Sequence, residues 1–310
     1  MQEFLKPLLI TEGDPAGVGR EIFKASISTL KLLSEKRQII YIGYKEPVER
    51  DVCQTFSFQS GNGLFFYPLT VNRRNKEINP GEPSELSGNL ALESLRAAIQ
   101  IQKQIGGNMI TLPLSKEWVI RSGETTFSGH TEFLRDAYQT QTFMMMTGPR
   151  FKVIPLSTHI PFVKVPSVLQ KFPTGNLARV LKETSLYRGG NIAFCGLNPH
   201  AGENGKIGQE EEEILQPMIN TLRAAGLPVE GPLSADGVFI PEKIGKYEII
   251  LACYHDQGLI PFKALEGKKG VNITLGLDFI RVSPDHGTAF DIAGKGLASP
   301  QSFLECLQYC

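Results

Sequence analysis

Short apolar runs that alternate with longer helical patterns constrain this chain more than any other feature. Leu8-Leu9-Ile10 reads as a buried strand that ends in a Gly-rich turn, Gly13-Asp14-Pro15-Ala16-Gly17-Val18-Gly19, and a helix follows through Ile22, Ala25, Leu30 and Leu33. Strands are expected at 38–43, 64–69 and 109–114. A helix over 89–105 puts Leu92, Leu95 and Ile99 on one face and stops at Gly106-Gly107. The theme repeats, with strands expected at 143–146, 153–156, 191–197 and 248–253, and helices at 177–184 and 207–225. Many strand–helix alternations imply an α/β protein on a largely parallel sheet. No internal repeat, low-complexity segment or long linker marks a domain boundary.

At 310 residues, 41% of them apolar, the chain is long for one compact domain and comfortable for two. Lys plus Arg and Asp plus Glu both number 32, so the global charge gives no basic footprint for nucleic acid. A local cluster, Lys263, Lys268, Lys269 and Arg281, can still hold one or two phosphates. Cys53, Cys195, Cys253, Cys306 and Cys310 are scattered, odd in number and without a CxxC pair, which reads as reduced thiols in a cytoplasmic protein. The N-terminal stretch MQEFLKPLLITEGD lacks the pattern of a signal peptide, and no apolar run is long enough to span a membrane.

The histidines carry the candidate chemistry. His159, His200 and His255 each follow a strand end closely, and open α/β sheets bind ligands at the carboxyl ends of their strands. Each alone reads first as a hydrogen-bonded loop histidine. Three at the same station can converge on one metal, although their separate spacings are unlike an HExxH helix. Neutral imidazoles suit Zn, Co, Fe or Ni. Asp236 and Asp256 are the carboxylates at hand to orient a ligand or accept a proton. The Gly-rich turn is neither GxGxxG nor a Walker A loop. It offers backbone amides to an anion, but a plain tight turn explains it slightly better. Glu210 to Glu213 is expected to be a solvated helix face, Met144-Met145-Met146 a buried strand, and Trp118 a core residue.

Several segments together resemble the 4-hydroxythreonine-4-phosphate dehydrogenase family of pyridoxal phosphate biosynthesis. They are the Gly-rich turn 13–19, SGHTEF at 128–133, THIP at 158–161, GLNPHAGE at 196–203, YHDQG at 254–258 and DHGTAFDIAGKG at 285–296. The resemblance runs from about residue 8 to the C-terminus. The last segment is also similar to the adenosine-binding loop of isocitrate and isopropylmalate dehydrogenases.

The resemblance implies an isocitrate/isopropylmalate dehydrogenase-like fold, two α/β/α subdomains with the active site in the cleft between them. By that analogy 1–126 plus 268–310 form a discontinuous cofactor-binding subdomain, and 127–267 a metal and dimerisation subdomain. His159, His200 and His255 fall on the metal ligands. His130, Thr131, Lys263, Asn272 and Arg281 fall on substrate-binding positions, and Lys263 or Asp236 serves as the base. His286, Gly287, Asp291 and Gly294 fall in the loop that would take NAD or NADP. Family members are homodimers with the metal site at the subunit interface, using zinc, or cobalt or magnesium. The implied reaction oxidises 4-phosphohydroxy-L-threonine to a β-keto acid that loses carbon dioxide. Relatives act instead on threonate or erythronate 4-phosphate or on cis-dihydrodiols, and Lys263 and Arg281 favour a phosphorylated substrate over a diol. A phosphate acyltransferase can share related architecture but needs no three-histidine site. Arg20 stands where the family has Pro, and Thr111-Leu-Pro-Leu-Ser-Lys116 departs from the usual pattern, so the substrate follows less firmly than the reaction type.

Overall fold

The structure, a computed structural model, describes residues 5–49, 52–70 and 77–310. The first four residues of the N-terminal stretch read above lie outside them. Twelve strands are described: β1 (Leu8–Thr11), β2 (Gln38–Gly43), β3 (Gln54–Thr55), β4 (Gly63–Pro68), β5 (Asn108–Thr111), β6 (Phe143–Thr147), β7 (Lys152–Pro155), β8 (Ile192–Cys195), β9 (Val229–Leu233), β10 (Ile249–Ala252), β11 (Val271–Leu275) and β12 (Arg281–Pro284).

The chain forms two compact units, Met1–Gln139 with Leu277–Cys310, and Thr140–Gly276. The family resemblance implies divisions near 126/127 and 267/268, and the structure has them at 139/140 and 276/277. Packing explains where the structure puts them. Leu134, Phe127 and Phe279 join the first unit's core beside Leu90, Leu95 and Met109. β11 pairs antiparallel with β6 inside the second unit, Asn272 opposite Met146.

In the first unit the strand order is β3-β4-β2-β1-β5-β12, and each of the pairings is parallel. β1 is buried along its whole length, which is why it reads as an unbroken apolar run rather than an alternation. The helix expected from residue 89 starts earlier, at Glu85, because Ser84 and Ser87 form a reciprocal cap. The single helix expected through Ile22 and Leu33 is two, Gly19–Ala25 and Ile27–Ser34. Buried Ser26 lies between them, its Oγ donating to the Ile22 carbonyl at 2.9 Å, a local bond that competes with helix continuation. Trp118 is only half-buried, with Arg121 stacked 4.7 Å above its ring.

In the second unit the order is β11-β6-β7-β10-β8-β9. β7, β10, β8 and β9 run parallel, while β6 pairs antiparallel with both β7 and β11. The sheet is therefore mixed on one side and parallel elsewhere, in keeping with a largely parallel sheet. Phe151, Val153, Ile250, Leu259 and Phe262 centre its core. The helix expected over 207–225 begins as a π-type turn at Glu211–Leu215 and continues as α-helix over Gln216–Ala224. No helix among the described residues is long and apolar enough to cross a membrane.

Candidate active site

Three adjacent parallel strands of the second unit, in the order β7-β10-β8, end in the loops that carry His159, His255 and His200. The rings of His159 and His255 face each other with centroids 5.6 Å apart. They line a cavity of about 300 Å³ together with Ser157, Thr158, Tyr254 and Asp256. His255 Nδ1 lies 2.7 Å from Asp256 Oδ1, which leaves Nε2 to face a ligand. A pair of imidazoles, one oriented by a carboxylate, is a donor set suited to a zinc-like ion. His200 does not complete it in this geometry: among the described residues no three His, Cys, Asp or Glu side chains stand together closely enough to hold a metal. His200 lies instead within electrostatic reach of Asp236.

These loops are strained and then tied down. Positive φ is rare outside glycine, yet His159 (48°), His200 (51°), Ala201 (51°), Glu203 (45°) and Asn204 (57°) all adopt it. Such outliers persist only where surroundings over-determine them, and they cluster at functional sites. Ser157 Oγ donates to the Cys253 carbonyl at 2.8 Å, joining the β7 loop to that of β10. Gln257 joins the β10 loop to that of β8, accepting from Cys253 N and donating to the Gly196 carbonyl, both at 2.7 Å.

Glu211 holds the His200 loop from below. Its Oε1 accepts from the backbone N–H of Leu197 at 2.8 Å and of Asn198 at 2.7 Å, and its Oε2 from Asn198 Nδ2 at 2.9 Å. It is 7% exposed and so departs from the expected solvated acidic face, on which Glu212 and Glu213 do lie exposed. Gly202 is required beside it, since a Cβ there would sit 2.6 Å from Glu211 Oε2 at a φ of 77°. Sequence reasoning missed Glu211 and Gln257. The run of four acids hid the first, because nothing in a run shows which member turns inward.

Asp236 is exposed, accepting from Ser234 Oγ and from Gly237 N, and these hydrogen bonds hold its carboxyl below the usual range. Lys263 is exposed on the helix His255–Glu266. Asn272 lies on β11 with its Oδ1 buried and unpartnered.

The other predicted residues belong to the first unit. Arg281 opens β12, is 1% exposed and donates through Nη2 to Thr111 Oγ1. Burial pulls its pKa down to about 10, so it stays cationic at neutral pH. His130 and Thr131 begin the helix His130–Tyr138. His130 Nε2 is buried without a partner, and burial, with the charge of Arg281, pushes the imidazole well below its ordinary range. That ring is neutral and has a nitrogen to offer. His286 leads the 286–296 segment, its Nδ1 2.9 Å from the Gly287 carbonyl and its Nε2 buried and unpartnered. Gly287, Asp291 and Gly294 are exposed along it.

Polar loops at the carboxyl ends of parallel strands, in two α/β units, define an α/β protein of the kind that binds small ligands at those strand ends. A β-decarboxylating dehydrogenase from Thermococcus kodakarensis shares the fold alone, at 13% identity and a TM-score of 0.51 over 98% of this chain and 82% of that one. The chain belongs to the family of pyridoxal phosphate biosynthetic protein PdxA, whose family model matches residues 24–310. It is similar to the crystal structure of a 4-hydroxythreonine-4-phosphate dehydrogenase from Klebsiella pneumoniae, with 33% identity and a TM-score of 0.80 over 98% of both chains. It is also 39% identical to a protein of Oceanobacillus iheyensis provisionally named D-threonate 4-phosphate dehydrogenase, over 97% of this chain and 96% of that one.

Proposed function

We propose that this chain is a metal-dependent NAD(P) dehydrogenase that oxidises 4-phosphohydroxy-L-threonine to 2-amino-3-oxo-4-(phosphooxy)butanoate in pyridoxal 5′-phosphate biosynthesis. Loss of carbon dioxide from that β-keto acid gives 3-amino-2-oxopropyl phosphate. One observation carries the reading: three histidines stand at the carboxyl ends of three adjacent parallel strands, two of them ring to ring, in a chain of this family.

His159 and His255 would hold the divalent ion, zinc or else cobalt or magnesium, with His200, which this geometry leaves apart from them, as the third ligand that the family resemblance implies. When bound, it supplies Lewis acidity that lowers the pKa of a substrate hydroxyl. The chain's own residues do the rest. Arg281 offers a buried planar fork to phosphate or carboxylate. Neutral His130, with Thr131 and Asn272, supplies hydrogen bonds that orient the substrate. Lys263 takes the hydroxyl proton. Asp236, anchored by Ser234 and Gly237, is better suited to orient His200 than to act as base. His286, Gly287, Asp291 and Gly294 would hold the adenosine half of NAD or NADP, which would supply the hydride acceptor. We further propose a homodimer, with the metal site at the subunit interface, acting in the cytoplasm.

A second reading, oxidation of threonate 4-phosphate, is favoured by the likeness to the Oceanobacillus protein. The test is formation of reduced nicotinamide by zinc-loaded protein offered 4-phosphohydroxy-L-threonine, threonate 4-phosphate and erythronate 4-phosphate, with and without chelator. Chelator-sensitive turnover of the first alone is expected. Preference for a sugar-acid phosphate would replace the substrate and keep the reaction type. Chelator-resistant turnover would remove the metal from the mechanism.

A further inference from the structure

The 286–296 segment is surface-exposed over much of its length, yet its backbone is fastened at two places to the Gly-rich turn and the helix that follows. Val18 N donates to the Thr288 carbonyl at 3.0 Å. Gly17 makes this approach possible, because a Cβ there would lie 2.8 Å from the Thr288 oxygen. At the far end Glu21, on the helix Gly19–Ala25, accepts from Gly294 N through Oε1 and from Gly296 N through Oε2, the latter at 3.2 Å. Between these points Ala289 adopts a left-handed φ of 48°. Gly294 and Gly296 are both exposed, so water could serve their amides as well as Glu21 does. The carboxylate therefore adds little to the core and fixes the shape of a loop.

We infer that Glu21 is a positioning residue for dinucleotide binding: its carboxylate holds the 286–296 backbone in the conformation that receives the adenosine half. This rests on the proposed reading of that segment as the nucleotide loop. A loop already held in its binding conformation loses less entropy when the ligand arrives, and a carboxylate on two amides is a charge-assisted clamp. Neither residue 17 nor residue 21 needs to touch the nucleotide. The Gly-rich turn thereby has a role as the loop's foundation.

The test measures amide exchange across 286–296 and the Kd for NAD and NADP in the full-length protein, for the natural chain, Glu21→Gln and Glu21→Ala. Glu21→Ala should speed exchange at Gly294 and Gly296 and weaken dinucleotide affinity about tenfold. The Michaelis constant for nucleotide should rise while kcat at saturating nucleotide and the thermal midpoint change little. Glu21→Gln, which keeps an acceptor, should recover part of the loss. Unchanged exchange in Glu21→Ala would overturn the inference. So would faster exchange with unchanged affinity, if dinucleotide still protects 286–296 in the natural chain; the nucleotide-loop reading would then survive. Dinucleotide bound without protecting 286–296 in the natural chain would overturn the reading and the inference together.

Discussion

Arg281 and His130 in the first unit and the candidate metal loops of the second are held in opposite ways. In the first, the charged group is sunk in the protein: Arg281 is 1% exposed against Thr111, and His130 is kept neutral by its burial. In the second, His159 and His200 are exposed, Asp236 with them, and order comes from strained backbone tied by Ser157, Gln257 and Glu211. The difference matches the tasks proposed for them. A group that binds a fixed anion gains from low dielectric, where its field is strong. Metal ligands must admit an ion from water and leave a position open for substrate, so they are fixed by outer hydrogen bonds rather than by enclosure.

The comparison breaks most sharply at the metal loops. Removing His200 as His200→Ala should abolish tight zinc binding and cost roughly 100-fold or more in rate, read by metal content and steady-state kinetics. Full activity with full metal content in that variant would sink the three-histidine site.

The next effect belongs to the first unit and tests burial itself. Glu12 is 1% exposed, its Oε2 accepts from Tyr44 N at 2.6 Å, and burial raises its carboxyl to about 7. A carboxyl whose folded pKa is raised contributes stability that is full below its unfolded value, near 4.5, and is lost as pH rises through about 7. Glu12→Gln should remove this dependence and stabilise the protein above pH 7 by up to about 3 kcal/mol, with little change at acid pH. Urea titrations at both extremes decide it, and parallel pH profiles for both proteins would show that Glu12 is not the titrating group.

Glu211→Ala should cost about 2 kcal/mol of stability, since it strands the N–H groups of Leu197 and Asn198. If Glu211 also orients the His200 loop, zinc affinity should fall about tenfold as well. Loss of stability with intact affinity would make Glu211 a fold residue only. The smallest effect compares like with like, because Ala201 and Ala289 both sit at positive φ, one in each unit. Ala→Gly at either position should relieve strain by no more than about 1 kcal/mol. At Ala201 the released loop should also bind zinc more weakly, and equal affinity would show that strain there has no part in the site.

By itself the sequence determined the α/β class, the placement of most strands to within a few residues, and the station of His159, His200 and His255 just past strand ends. Those features are local: apolar runs, periodicity and turn residues act over one element and its neighbours. Tertiary structure decided which polar residues face inward and what they meet. Ser26 divides a helix that apolar periodicity makes continuous, because a buried hydroxyl found a carbonyl. Glu211 leaves an acidic run for the interior because two unsatisfied amides of the β8 loop lie there. Glu21 meets Gly294, 273 positions away, a pairing no spacing rule contains. Hydrogen-bond satisfaction of buried or strained backbone is settled only when distant segments pack, so those partners belong to the fold and not to the pattern.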